Sequence, residues 1–128
     1  MATIEFFEKN GCLNNARQKK LLAASGHTLI THDILTHPWT PEVLKVFFQS
    51  RPVAECFNRA SPRIKSGEVV PENISANEAI PLMLSDPLLI RRPLMIIEGH
   101  HEVGFDQEKL RTWINLESSL QDPETCQR

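Results

Sequence analysis

Within its first 34 residues the chain spells out a strand, a helix and a second strand, and this order constrains the fold more than any other feature. Thr3-Ile4-Glu5-Phe6-Phe7 has the alternation of a short strand, and Glu8-Lys9-Asn10-Gly11 is a loop in which Gly11 permits a backbone angle closed to other residues. From 13 to 25 the pattern turns helical, with Ala16, Leu21, Leu22 and Ala24 as apolar positions and Gly26 at the stop. Thr28, Leu29, Ile30 and Ile34 then mark a second strand. Two strands joined by a helix of this length pair in parallel through a right-handed crossover, so the chain is committed to an α/β sheet with helices packed on it.

The middle of the chain has a different texture. Pro38 and Pro41 bracket Thr40, a capping residue ahead of the apolar 42–48 segment. A short helix is expected around 53–58, then a loop through Gly67, then a helix capped by Ser75 and running to 84. The run Leu94-Met95-Ile96-Ile97 predicts a strand buried on both faces. Residues 99–101 read as a turn, 102–104 as a short antiparallel strand, and Asp106 as the cap of a last helix bearing Leu110, Trp113, Ile114 and Leu116. The expectation is one α/β domain over 1–116 with a mixed four-stranded sheet, a helical insertion at about 40–86, and a flexible tail over 117–128.

Composition narrows the function. Fourteen Lys and Arg against sixteen Asp and Glu give a formal charge of −2, and the basic residues are not clustered, which argues against nucleic acid as a partner. The N-terminus has no leader pattern and no apolar run approaches the length needed to span a bilayer, so a cytoplasmic protein without a membrane partner is expected. Three cysteines, an odd number, do not make a disulfide framework, and a reducing compartment would keep them as thiols. The five histidines lack a partner ligand at helical or hairpin spacing, so no metal site is expected.

Cys12 is the leading chemical candidate. It stands between a strand and the first turn of a helix, where unpaired amides and the helix dipole favour a thiolate. Asn15 takes the place of a second cysteine three residues on, so this loop holds a monothiol. Arg17 follows Cys12 by five positions, one short of the register used by cysteine-dependent phosphatases, and that reading is set aside. Arg91-Arg92-Pro93 opens the buried strand, where a cis peptide bond is expected before Pro93 and where guanidinium groups can grip an oxyanion through paired hydrogen bonds. Cys56 reads as core filler, and Cys126 as an exposed bystander in the tail.

The Gly11-Cys12 loop, the helical insertion and the run 89–97 resemble the arsenate reductase and Spx-type branch of the thioredoxin superfamily over residues 3–116. Within it, residues 7–19, Phe-Glu-Lys-Asn-Gly-Cys-Leu-Asn-Asn-Ala-Arg-Gln-Lys, are similar to the opening of the nitrogenase-associated proteins. The resemblance implies a thioredoxin-like fold and makes Cys12 the nucleophile, structural cis-Pro93 a landmark, and Arg59, Arg92, Arg17, Asn14 and Asn15 substrate contacts. It further implies an oxyanion or glutathione as ligand, glutathione as cosubstrate with no bound cofactor, and glutaredoxin or a nitrogen-fixation protein as partner. In this chain Ala16 stands where reductases place an arginine soon after the cysteine, and Gly104-Phe105 where they place a later one. The implied activity is a glutathione- and glutaredoxin-coupled oxidoreductase. The alternative is a binding or regulatory module for a nitrogen-fixation protein or RNA polymerase.

Overall fold

A computed structural model describes residues 1–49 and 51–118. Four strands, β1 (Thr3–Glu8), β2 (Thr28–Asp33), β3 (Leu94–Ile97) and β4 (His100–Val103), form one sheet in the order β2-β1-β3-β4. β1 pairs in parallel with β2, Phe7 opposite His32, and antiparallel with β3, Phe7 opposite Leu94. β4 adds antiparallel to β3. The sheet is therefore mixed, and the parallel pair is the crossover unit expected from the first 34 residues.

Helix α1 (Leu13–Ala24) joins the parallel strands. α2 (Pro41–Phe48) starts at Thr40, whose hydroxyl accepts from the Val43 amide, and has Pro41 in its first turn, where no amide is needed. Two helices follow: α3 (Pro62–Lys65) in a stretch read from sequence as loop, and α4 (Ala76–Ser85). α3 is a single turn in which Pro62 occupies the first helical position, a start signal the polar composition around it masks. α4 carries a reciprocal capping box, Ser75 and Glu78 each bonding the other's backbone amide, which offsets the lost hydrogen bond at the internal Pro81. The helix expected around 53–58 is a 3₁₀ turn over Val53–Cys56.

The two faces of the sheet bury separate cores. Ile4, Phe6, Met95 and Ile97 pack under α1 with Leu21, Leu22, Leu110 and Ile114. Phe7, Leu94 and Val103 pack under the insertion with Leu44, Phe47, Ala79, Ile80 and Met83. Phe7 is the hub of the second core: its ring lies 4.6 Å from His32, 5.0 Å from both His37 and Trp39, and 6.0 Å from Phe47.

Two boundaries differ from the sequence reading. β4 begins at His100 because the reversal is made by Glu98 and Gly99, both at positive φ (47° and 89°), a two-residue turn whose twist matches the strands it joins. The last helix, α5 (Gln107–Leu110), is one turn long, and Trp113 lies outside the core, stacked on His100 at 4.3 Å. Asp106 caps it as expected, accepting from the Lys109 amide.

Two outcomes follow from this packing. Phe47→Ala is expected to destabilise the fold by about 3 to 5 kcal/mol, read from urea midpoints, since it leaves a cavity against Phe7 and Trp39. His37 is held below its ordinary pKa, first by burial and then by His32, with Glu5 opposing. A histidine depressed in the fold contributes stability that is complete above the unfolded value of about 6.5 and is lost as pH falls through the folded one. Unfolding midpoints should therefore drop on acidification below about pH 6.5, and His37→Asn should flatten the drop; an unchanged slope in the variant would assign the effect elsewhere.

Candidate functional site

Cys12 is the N-cap of α1. Its backbone is extended (φ −76°, ψ 114°), its carbonyl accepts from the Ala16 amide at 3.0 Å, and its sulfur accepts from the Asn15 amide at 3.4 Å. The Cys12 amide donates back to the Lys9 carbonyl at 3.1 Å, closing a turn that Gly11 enters at φ +84°. A sulfur in this position faces the positive end of a twelve-residue helix, which favours negative charge on it. Cys12 is 4% exposed, and its sulfur is disulfide-bonded, which corrects the expectation that every cysteine is a thiol. Cys126 lies outside the described residues.

The floor of this loop is polar. The inner face of α1 carries Asn15 and Gln18 before it carries Leu21 and Leu22. Asn15, completely buried, accepts from the Lys9 amide at 3.2 Å and donates to Gln18 at 3.0 Å. Glu8, also buried, pairs with Lys19 at 2.8 Å. Asn15 was expected at a substrate; its side chain is instead spent inside the protein, because burial obliges each amide group to find a partner there. Sequence reasoning missed Gln18 and Glu8; for Gln18 the signal was a second polar residue three positions after Asn15 on the inward face of α1, and Glu8, at the end of β1, carried none.

At the same end of the sheet stands Arg92. The antiparallel register that sets Phe7 opposite Leu94 brings the Arg92-Pro93 segment beside the loop that leaves β1. The Arg92–Pro93 bond is cis, and the Pro93 carbonyl accepts from Gly104 at 2.9 Å. The Arg92 side chain is wholly buried, and its Nε, Nη1 and Nη2 have no hydrogen-bond partner among the described residues. Burial pulls the guanidinium below its ordinary pKa. Arginine keeps its proton even so, and a buried cation left unpaired carries a desolvation cost of several kcal/mol that hydrogen-bond acceptors, an anion above all, would offset.

The other candidate arginines have partners within the protein. Arg59 is half-exposed and paired with Glu72, with a further contact to the Ala54 carbonyl. Arg17 is exposed and reaches the Asn14 side chain at 3.4 Å, so these two residues meet each other on the open face of α1. Arg91 spans from the Glu55 carbonyl to the Cα of Gly104, where a Cβ would fall 2.8 Å from its Nη2. Cys56 is buried and free, and burial pushes its thiol to about 11. Among the described residues no group of three or more His, Cys, Asp or Glu side chains is placed to hold a metal. No helix among them is long and apolar enough to cross a membrane.

Comparison with known proteins adds to this geometry. The model of the ArsC family matches residues 9–113. The chain is 51% identical to an uncharacterized 15.7 kDa protein in the draG 3' region of Rhodospirillum rubrum, over 98% of this chain and 89% of that one. It is 22% identical to the global transcriptional regulator Spx 1 of Lactococcus lactis, over 89% of this chain and 91% of the relative. An arsenate reductase from Vibrio cholerae superposes with a TM-score of 0.73 at 18% identity, covering 87% and 97% of the two chains. The fold is thioredoxin-like.

The contrast between the two cysteines is measurable. A thiol at about 11 is ionised to about one part in ten thousand at pH 7, so Cys56 should resist alkylation in the folded, reduced protein. Mass spectrometry of peptides from the treated protein should find Cys12 labelled and Cys56 unlabelled until denaturant is added. Labelling of Cys56 at a comparable rate in the folded state would contradict its burial.

Proposed function

The chain belongs to the ArsC family, and on that premise we propose that it is a cytoplasmic redox protein with a single cysteine in its reactive loop, Cys12, which once reduced exchanges with glutathione disulfide or attacks an oxyanion bound by Arg92. The observation that carries this reading is the buried, unpaired guanidinium of Arg92 at the sheet end where the Cys12 loop leaves β1. A cation in that state is a receptor for an anion, and carboxylate, phosphate and arsenate all present the paired oxygens a guanidinium binds. The sulfur at the helix terminus supplies the nucleophile. Glutathione brings both halves of the chemistry, a thiol that can open the Cys12 disulfide, with the partner sulfur leaving as thiolate, and carboxylates for Arg92.

Arsenate itself fits less well. Each charge-assisted hydrogen bond contributes about 1.5 to 3 kcal/mol, and in this chain Ala16 and Gly104 supply no guanidinium while Arg59 is engaged by Glu72. Two lost partners correspond to about 3 to 6 kcal/mol, or roughly two to four orders of magnitude in oxyanion binding. Arsenate turnover in a glutaredoxin-coupled assay should therefore be weak or absent, while Cys12 of the reduced protein should accept glutathione from its disulfide. Arg92→Met should slow that glutathionylation, with Cys12→Ser abolishing it. Arsenate turnover at the level of a dedicated reductase would show that another cation completes the cage, and absence of both reactions would remove the redox reading.

A second reading has its own support. The Spx relatives are named as transcriptional regulators, and Leu13, next to Cys12, is 69% exposed, an apolar contact available to a protein partner. A nitrogen-fixation protein is the partner class suggested by the resemblance of residues 7–19 and by the relative in the draG 3' region. Co-purification from nitrogen-fixing cells, lost in Leu13→Glu and retained in Cys12→Ser, would favour binding over redox chemistry.

A further inference from the structure

We infer that Asn15, with Gln18 behind it, is the positioning residue of the Cys12 loop: it ties the loop to α1 so that the sulfur stays over the helix amides. The inference rests on the redox reading above and extends it to a residue that makes no contact with a ligand. Three bonds carry it. The Asn15 backbone amide donates to the Cys12 sulfur at 3.4 Å, its side-chain oxygen accepts from the Lys9 amide at 3.2 Å, and its side-chain nitrogen donates to Gln18 at 3.0 Å.

One residue thus grips the loop at both of its ends, at Lys9 where it leaves β1 and at Cys12 where it enters α1. The Lys9 amide donates to the Asn15 oxygen in a region closed to solvent: Asn15 is 0% exposed, Gln18 2% and Cys12 4%. The bond to Gln18 fixes which way the amide of Asn15 points, since its nitrogen must face the Gln18 oxygen for its own oxygen to face Lys9. A side chain of similar size without polar atoms would fill the space and leave the Lys9 amide unpaired, so the loop would move to solvate it.

The test uses the full, reduced chain and two readouts, the pH dependence of Cys12 alkylation and hydrogen exchange at the Lys9 amide. Asn15→Leu is expected to raise the pH midpoint of alkylation by about one unit, a tenfold loss of thiolate near neutrality, and to abolish Lys9 protection. Gln18→Leu should give a smaller shift in the same direction. Asn15→Asp, which keeps an acceptor for Lys9, should restore the protection. An Asn15→Leu protein with circular dichroism like the parent, an unchanged midpoint and a protected Lys9 amide would overturn the assignment; if that variant does not fold, Gln18→Leu decides by the same two measures. Wild-type Cys12 alkylating no faster than a free cysteine would sink the redox reading alone, since Lys9 protection in the variants still reports whether Asn15 holds the loop.

Discussion

Every part of the site depends on β1 lying between a parallel and an antiparallel neighbour. The parallel pairing with β2 forces the chain to leave the top of β1, descend through α1 and return, which sets the amino end of α1, and with it Cys12, at the strand's end. The antiparallel pairing with β3 brings a segment distant in the chain, Arg92 and cis-Pro93, to that same end. Slip either register by one residue and Phe7 leaves the core under the insertion, so packing and site geometry are secured together.

Buried charge is handled in two ways here. Glu102, on β4, is fully buried yet has Lys109 at 3.2 Å and Arg51 at 3.7 Å, and Glu8 has Lys19. These carboxylates are compensated within the fold and are part of its structure. Arg92 has no such compensation among the described residues, and that asymmetry sets it apart from the structural ion pairs more sharply than burial alone.

The crossover unit, the buried strand 94–97, Cys12 as a helix cap and the helix begun by Thr40 could all be read from sequence because each rests on local signals: periodicity, a glycine, a cap. What escaped depends on partners distant in the chain. β4 starts early because His101 faces Ile96, a pairing no local pattern announces, and Glu98 adopts a positive φ that its identity does not advertise. Trp113 looks like core on a helical wheel, but α5 ends three residues before it. Arg59 suits an oxyanion until Glu72, thirteen residues on, claims it. Asn15 reads as a substrate contact by resemblance, while the packing of α1 turns its side chain inward to Lys9 and Gln18.

The sheet is a wall with one apolar core on each side, and among the described residues the two share no side chain. Substitutions on opposite faces should then behave as nearly independent contributions, adding in free energy where neighbours on one face would couple. For such a scaffold the insertion becomes a replaceable module: its helices can be exchanged, lengthened or repacked to suit a different partner while the α1 face, with its polar floor beneath Cys12, keeps its own internal order. Changes under the insertion and changes under α1 are thereby kept apart by one sheet.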